Sequence, residues 1–165
     1  MPAILFVCTA NQFRSPIAAA CFTRKLISIG AGDTWTVESA GTWTPAGLPA
    51  HPLAIEEAAK LGLDLSAHRT REVDAALLAA ADLIVVMEHG HKEALEAEFP
   101  TVRGRVILLG SLANSPGDDI TDPAADDFAQ PDVAARLVYD CIDKGFVDLV
   151  QFDLIQRGSQ PAAKP

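Results

Sequence analysis

Ile4-Leu5-Phe6-Val7-Cys8-Thr9-Ala10-Asn11-Gln12-Phe13-Arg14-Ser15-Pro16 is an apolar run that stops at a cysteine and meets a helix start seven residues later. The run is too short for a membrane span and suits a strand buried on both faces of a parallel sheet. Ser15-Pro16 predicts the helix start: a capping hydroxyl, then a residue of fixed φ with no N–H to leave unbonded at the first helical position. The predicted order is strand, loop, helix. A short loop closing onto a helix N-terminus turns several backbone N–H groups inward, and with the helix dipole they form a site for an anion such as phosphate.

Cys8 stands first in that loop and Arg14 last. A tight curl puts a thiol beneath the anion and a guanidinium beside it, whose planar fork can bind two phosphate oxygens. The inward amides, Arg14 and the Ser15 hydroxyl together favour an ionised sulfur, and a thiolate under a phosphorus atom is a nucleophile. The alternative is a buried strand-end cysteine beside a surface arginine.

Cys8 to Ser15, a cysteine, five residues, an arginine and a serine, resembles the phosphate-binding loop of the low-molecular-weight protein tyrosine phosphatases. That resemblance implies hydrolysis of phosphotyrosine-type monoesters through a cysteinyl-phosphate intermediate. It implies that Thr9, Ala10, Asn11, Gln12, Phe13 and Ser15 surround the substrate phosphate, with no metal and no cofactor.

Composition is compatible with this. The chain has 165 residues, 49% of them hydrophobic and 21% charged, ordinary for a globular domain with a real core. Three cysteines far apart in sequence supply no disulfide framework, and a nucleophilic thiol needs a reducing compartment. Met1 to Cys8 lacks a basic start and a long apolar run, so no secretory signal is expected and the cytoplasm is the default location. Ala75 to Met87, the longest hydrophobic region, includes Asp82 and falls short of the ~20 residues that span a bilayer. A net charge of -9 without a Lys/Arg cluster argues against nucleic acid and gives acidic phosphopeptides no long-range attraction. The expected partner is a phosphorylated protein or a small aryl phosphate, with the chain itself a monomer or weak dimer.

Beyond Pro16, Ile17 with Cys21 and Phe22 with Leu26 predict a helix to about Ile29 with one apolar face, ended at Gly30. Trp35 to Ala40 alternates like a second strand and leads into a loop over Gly41 to Gly47. Ser39-Ala40-Gly41-Thr42 resembles the family's second motif, which implies that Ser39 supports the loop from below. Trp43 is expected at the cleft wall, its indole stacking on a leaving group or else covering the sheet end. His51-Pro52 opens a helix that Gly62 closes. His68 to Arg71 resembles the family's His-x-x-Arg stretch, in which the histidine bonds the loop asparagine, here Asn11, held in an unusual backbone conformation. Otherwise His68 is a partly exposed polar residue.

Asp82 to Glu88 predicts a third strand, about Gly90 to Phe99 a helix, and Arg105 to Gly110 a fourth strand. His89 and His91, two apart, point in different directions and do not suggest a metal site. The closing helix is expected from Pro131 to about Arg157, with Val133, Leu137 and Cys141 and then Phe146, Leu149 and Val150 facing inward and Gly145 weakening or bending it. The predicted fold is a three-layer α/β/α domain over residues 1–157 with a four-stranded parallel, doubly wound sheet, and residues 158–165 form a disordered tail. Such sheets bind ligands at the carboxyl ends of their strands, where the loops after Cys8, Ser39, Met87 and Gly110 can converge.

Expelling an alkoxide or phenoxide calls for an acid that can later activate water. Asp122 is the choice, because Pro123 restricts it to extended geometry and Asp-Pro after the fourth strand resembles the family's acid motif. Asp118, Asp119, Asp126 and Asp127 are rival carboxylates.

The chain departs from the pattern at the site. Phe13 stands where many members have a second cysteine, so Cys8 lacks a neighbouring thiol to shield it from oxidation. Ala10 stands where many have glycine. The aromatics common after Asp-Pro are missing, and Phe13 with Trp43 is the candidate replacement wall. Two rival functions share these features: arsenate reduction, which needs two relay cysteines and offers only Cys21 and Cys141, and non-catalytic phosphate binding, which needs neither Cys8 nor Asp122.

Overall fold

The structure is a computed structural model describing residues 1–112 and 117–158, with 153–158 described by their backbone alone. The tail expected over 158–165 lies, apart from the helical Gly158, outside the described residues.

β1 (Ala3–Cys8) is the middle of the molecule: Ile4 through Cys8 are all buried. It pairs in parallel with β2 (Thr36–Gly41) on one side and β3 (Leu83–Val86) on the other, and β4 (Val106–Leu108) completes the order β2-β1-β3-β4. A strand with neighbours on both edges and layers on both faces reads as an unbroken apolar run, which is why β1 and β3 do. Ile4, Phe6 and Cys8 turn to the face covered by α1 (Arg14–Ser28), α2 (Pro52–Lys60) and α5 (Pro131–Gly158). Leu5 and Val7 turn to the face covered by α3 (Ala75–Ala80) and α4 (His89–Glu98). Each such buried side chain contributes on the order of 1.5–3 kcal/mol. The three-layer, four-stranded parallel α/β architecture expected from the sequence is the observed one. Among the described residues no helix is long and apolar enough to cross a membrane.

Three expectations are corrected, and a helix before β3 is added to the expected elements. Ser15 does not cap α1: the helix begins at Arg14, Phe13 takes the cap position without a side-chain bond, and the Ser15 hydroxyl is engaged elsewhere. The hydrophobic region Ala75–Met87 divides into helix and strand, because the Asp74 carboxylate accepts from Leu77 N at 2.7 Å to start α3 and Ala81 turns extended to end it. On α5 the inward face is Ala135, Val138, Cys141, Ile142 and Leu149, while Val133 (55% exposed) and Leu137 (42%) face outward. Spacing of four alone drifts around a helix of 3.6 residues per turn, so of Val133, Leu137 and Cys141 only Cys141 reaches the core, while the expected Leu149 is buried there and Phe146 and Val150 pack against it. Gly145 does not interrupt α5. It lets the helix pass the segment after β4, since a Cβ there would lie 2.7 Å from Leu112 Cβ.

Gly145→Ala is therefore expected to lower the thermal midpoint despite alanine's better helix propensity. Gly90→Ala in α4, where an added Cβ meets nothing, is expected to raise stability by up to about 1 kcal/mol. Thermal denaturation of the two variants reads the contrast.

Candidate active site

The segment from Cys8 to Arg14 links the end of β1 to the start of α1 and is folded back on itself at Asn11, whose φ is +55°. Its carbonyls are bonded outward. Cys8 O accepts from Thr42 N at 2.9 Å, Thr9 O from Trp43 N at 3.1 Å, Gln12 O from His51 N at 2.9 Å and Phe13 O from Ile17 N at 3.3 Å. The His68 ring meets Asn11 O at 2.7 Å, so its Nε2 carries the donated proton. Among the described residues no protein acceptor takes the N–H groups of Thr9 through Arg14. With carbonyls anchored outside, those amides ring the inside of the loop, a cradle for an anion. Gly41 makes the clamp possible, because a Cβ there would lie 2.4 Å from Thr9 O.

Asn11, fully buried, holds the curl. Its Nδ2 donates to Ser15 Oγ at 2.8 Å and Ser39 Oγ at 3.0 Å, and its Oδ1 accepts from Arg71 N at 3.0 Å. Glycine would tolerate the φ equally well but could make none of these bonds. Ser15 Oγ, having accepted from Asn11, lies 3.0 Å from Cys8 Sγ and 3.4 Å from Ala40 O. The nearer sulfur is the better acceptor for the hydroxyl proton whenever it is ionised.

Arg14 is 1% exposed, and every charge it meets comes from another element. One terminal nitrogen donates to Glu88, at the end of β3, and to Ile120 O at 2.7 Å; the other lies 3.3 Å from Asp122 Oδ2. Asp122 is held from its other oxygen, which accepts from Ala124 N at 3.0 Å across Pro123. His91 joins the same edge. Its Nδ1 accepts from Glu88 N at 3.2 Å, which leaves Nε2–H to donate to Thr9 Oγ1 at 2.8 Å. Burial, with Arg14 adding to it, pushes the His91 pKa below 6.5 and keeps the ring in this neutral form. Burial likewise lowers that of His68.

Cys8, Arg14, Asp122, Ser15, Ser39, Asn11 and His68 are thus brought together. Thr9, Ala10, Gln12, Trp43 and Asp122 line one cleft of about 630 Å³, and Trp43 is 80% exposed on its wall. Phe13 is corrected: its ring is buried against Phe128 at 6.0 Å, which in turn stacks on His51 at 4.0 Å, so only the backbone of Phe13 can face a ligand. The aromatic wall is Trp43 without Phe13. Of the rival carboxylates, Asp119 bonds the exposed His89 at 2.7 Å instead of Arg14. Glu88 and the Ile120 carbonyl were not singled out by sequence, and His91 was weighed there only as a metal ligand. The signal for Glu88 was its place as the first charged residue beyond β3, on the edge that Cys8 shares. The other cysteines are buried, Cys21 with its pKa pushed up to about 12 by burial and Cys141 raised by the same cause.

Asn11→Ala removes three side-chain bonds and leaves an alanine at positive φ, a loss expected at about 2–4 kcal/mol in chemical denaturation. Because the folded state holds His91 at a lowered pKa, its contribution is complete above about pH 6.5 and is lost as the pH falls below that. The thermal midpoint is expected to drop on acidification, and to drop less in His91→Asn.

Comparison with known proteins accords with this geometry. Residues 3–157 match the family model described as low molecular weight phosphotyrosine protein phosphatase. The chain is 38% identical over 120 residues to the low molecular weight protein-tyrosine-phosphatase Wzb of Escherichia coli K12, covering 73% of this chain and 76% of Wzb. It is 33% identical over 120 residues to a protein-arginine-phosphatase of Bacillus subtilis, covering 73% and 78% of the two chains. The crystal structure of tyrosine phosphatase Wzb from Escherichia coli K30 in complex with sulphate superposes with a TM-score of 0.79 at 31% identity, over 89% of this chain and 97% of that one. The chain belongs to the low-molecular-weight phosphotyrosine protein phosphatase family.

Proposed function

We propose that the chain, as one catalytic domain over residues 1–157, hydrolyses phosphotyrosine-type monoesters with Cys8 as nucleophile, Arg14 as phosphate clamp and Asp122 as acid and base. The observation that carries this reading is the convergence of Cys8 Sγ, held 3.0 Å from Ser15 Oγ, with a ring of unpaired amides and a buried arginine that reaches Asp122.

The phosphoryl oxygens take the amides of Thr9 to Arg14 and the guanidinium of Arg14. The bound phosphate, bringing its own negative charge to Arg14, frees the Asp122 carboxyl to carry a proton toward the ester oxygen. The Cys8 sulfur forms a bond to phosphorus as the bond from phosphorus to the ester oxygen breaks, and the leaving oxygen takes the Asp122 proton. Ser15 donates to sulfur when it leaves again in the second step. There the Asp122 carboxylate removes a proton from water, the water oxygen bonds phosphorus, the S–P bond breaks and inorganic phosphate is released. Glu88 keeps Arg14 in place throughout. Ser39 and His68 hold Asn11 and so the curl of the loop, and Trp43 offers the aromatic leaving group a face.

A phosphorylated protein is the proposed partner, met in the cytoplasm, where the three unpaired thiols stay reduced. Arsenate relay is disfavoured by the burial of Cys21 and Cys141, and mere phosphate binding would need neither a buttressed sulfur nor Asp122.

A panel of phosphotyrosine, phosphoserine, phosphoarginine and arsenate tests the reading. Phosphotyrosine is expected to turn over fastest; turnover confined to phosphoarginine or arsenate would overturn the substrate assignment. Cys8→Ser and Arg14→Ala are expected to abolish turnover, and full activity in Cys8→Ser would overturn the mechanism. Asp122→Asn is expected to lower kcat by about 10²–10⁴-fold, most for substrates with poor leaving groups.

A further inference from the structure

The cleft outside the loop carries charge of one sign. Glu72 and Asp122 line it, and no lysine or arginine does. Arg14 lies buried beneath, and Arg71, next to Glu72, is drawn to Glu38 at 2.8 Å. Glu72 is set at the lip by backbone pairing: Gly41 N donates to Arg71 O and Val73 N to Gly41 O, each at 2.9 Å, which makes Glu72 the parallel partner of Gly41. Two residues past Gly41, Trp43 is anchored by its own N–H to Thr9 O. The exposed Glu72 carboxylate has no ion pair or hydrogen bond to any described residue, and the Trp43 ring packs on no other ring or cation.

We propose that Glu72 and Trp43 form a subsite for a lysine or arginine flanking the phosphorylated residue of the substrate, so that the enzyme selects phosphopeptides with basic neighbours. This rests on the phosphatase reading above and names the substrate class of the same cleft. With the phosphate in the loop, a neighbouring side chain of the peptide reaches the cleft wall. A basic one lays its aliphatic stem and cationic head along the indole and pairs with Glu72. An acidic one meets the Glu72 carboxylate and a protein of net charge -9.

The test uses two phosphotyrosine peptides that differ only in having lysine or glutamate on either side of the phosphotyrosine, with 4-nitrophenyl phosphate as a reference lacking any flank. The ratio of kcat/KM for the lysine peptide to that for the glutamate peptide is expected to be about five or more at low salt, and to shrink toward one as salt is added. Glu72→Lys is expected to invert it. Because each enzyme supplies its own ratio, a partly misfolded variant does not disturb the reading. A ratio near one in the unaltered protein, or an unchanged ratio in Glu72→Lys, overturns the subsite while hydrolysis of 4-nitrophenyl phosphate leaves the phosphatase reading standing. Failure to hydrolyse 4-nitrophenyl phosphate overturns both.

Discussion

A buried arginine holds the functional edge of this molecule together. Arg14 is the first residue of α1, yet its guanidinium is satisfied by the end of β3 through Glu88, by the segment after β4 through Ile120 O, and by Asp122 further along it. A guanidinium that is 1% exposed carries a large desolvation cost unless charge and hydrogen bonds meet it. That cost is met by the three segments together, Glu88 and Asp122 supplying the opposite charge and Ile120 O a further acceptor. In chain terms the contacts lie 74, 106 and 108 residues from Arg14, so the site exists only once the sheet has formed.

The loop itself works by a different principle. The carbonyls of Cys8, Thr9, Asn11 and Gln12 are held from outside by the second motif, His68 and the α2 entry, which leaves the loop's amides to face inward. Asn11 makes the reversal tolerable and Gly41 makes room for it. The Ser15 hydroxyl, having given up the capping role, sits between Asn11 and Cys8. The curl of the loop and the surroundings of the sulfur therefore share one hydrogen-bond network, and a change in Asn11 reaches both.

Departures from the family's pattern are absorbed in two ways. Phe13 is turned into the core against Phe128, on which His51 stacks in turn. The cleft wall then has Trp43 as its aromatic residue, with Glu72 on the same lining.

Local pattern by itself determined the four strands and the strand, loop and helix around Cys8 to Ser15, because each rests on residues adjacent in sequence and on periodicities that a buried strand or a one-sided helix must show, whereas the choice of Asp122 also needed the family resemblance. The α5 face was misjudged at Val133 and Leu137 though not at Cys141 and Leu149, since equal spacing cannot say which side of a long helix meets the core. Glu88, His91 and the Ile120 carbonyl were invisible as contacts for the same underlying reason: a carboxylate, an imidazole and a backbone oxygen have no local signature. Only the tertiary structure, by stacking β3 beside β1 and folding the later segment over both, decided that they would be the groups to meet Arg14 and Thr9.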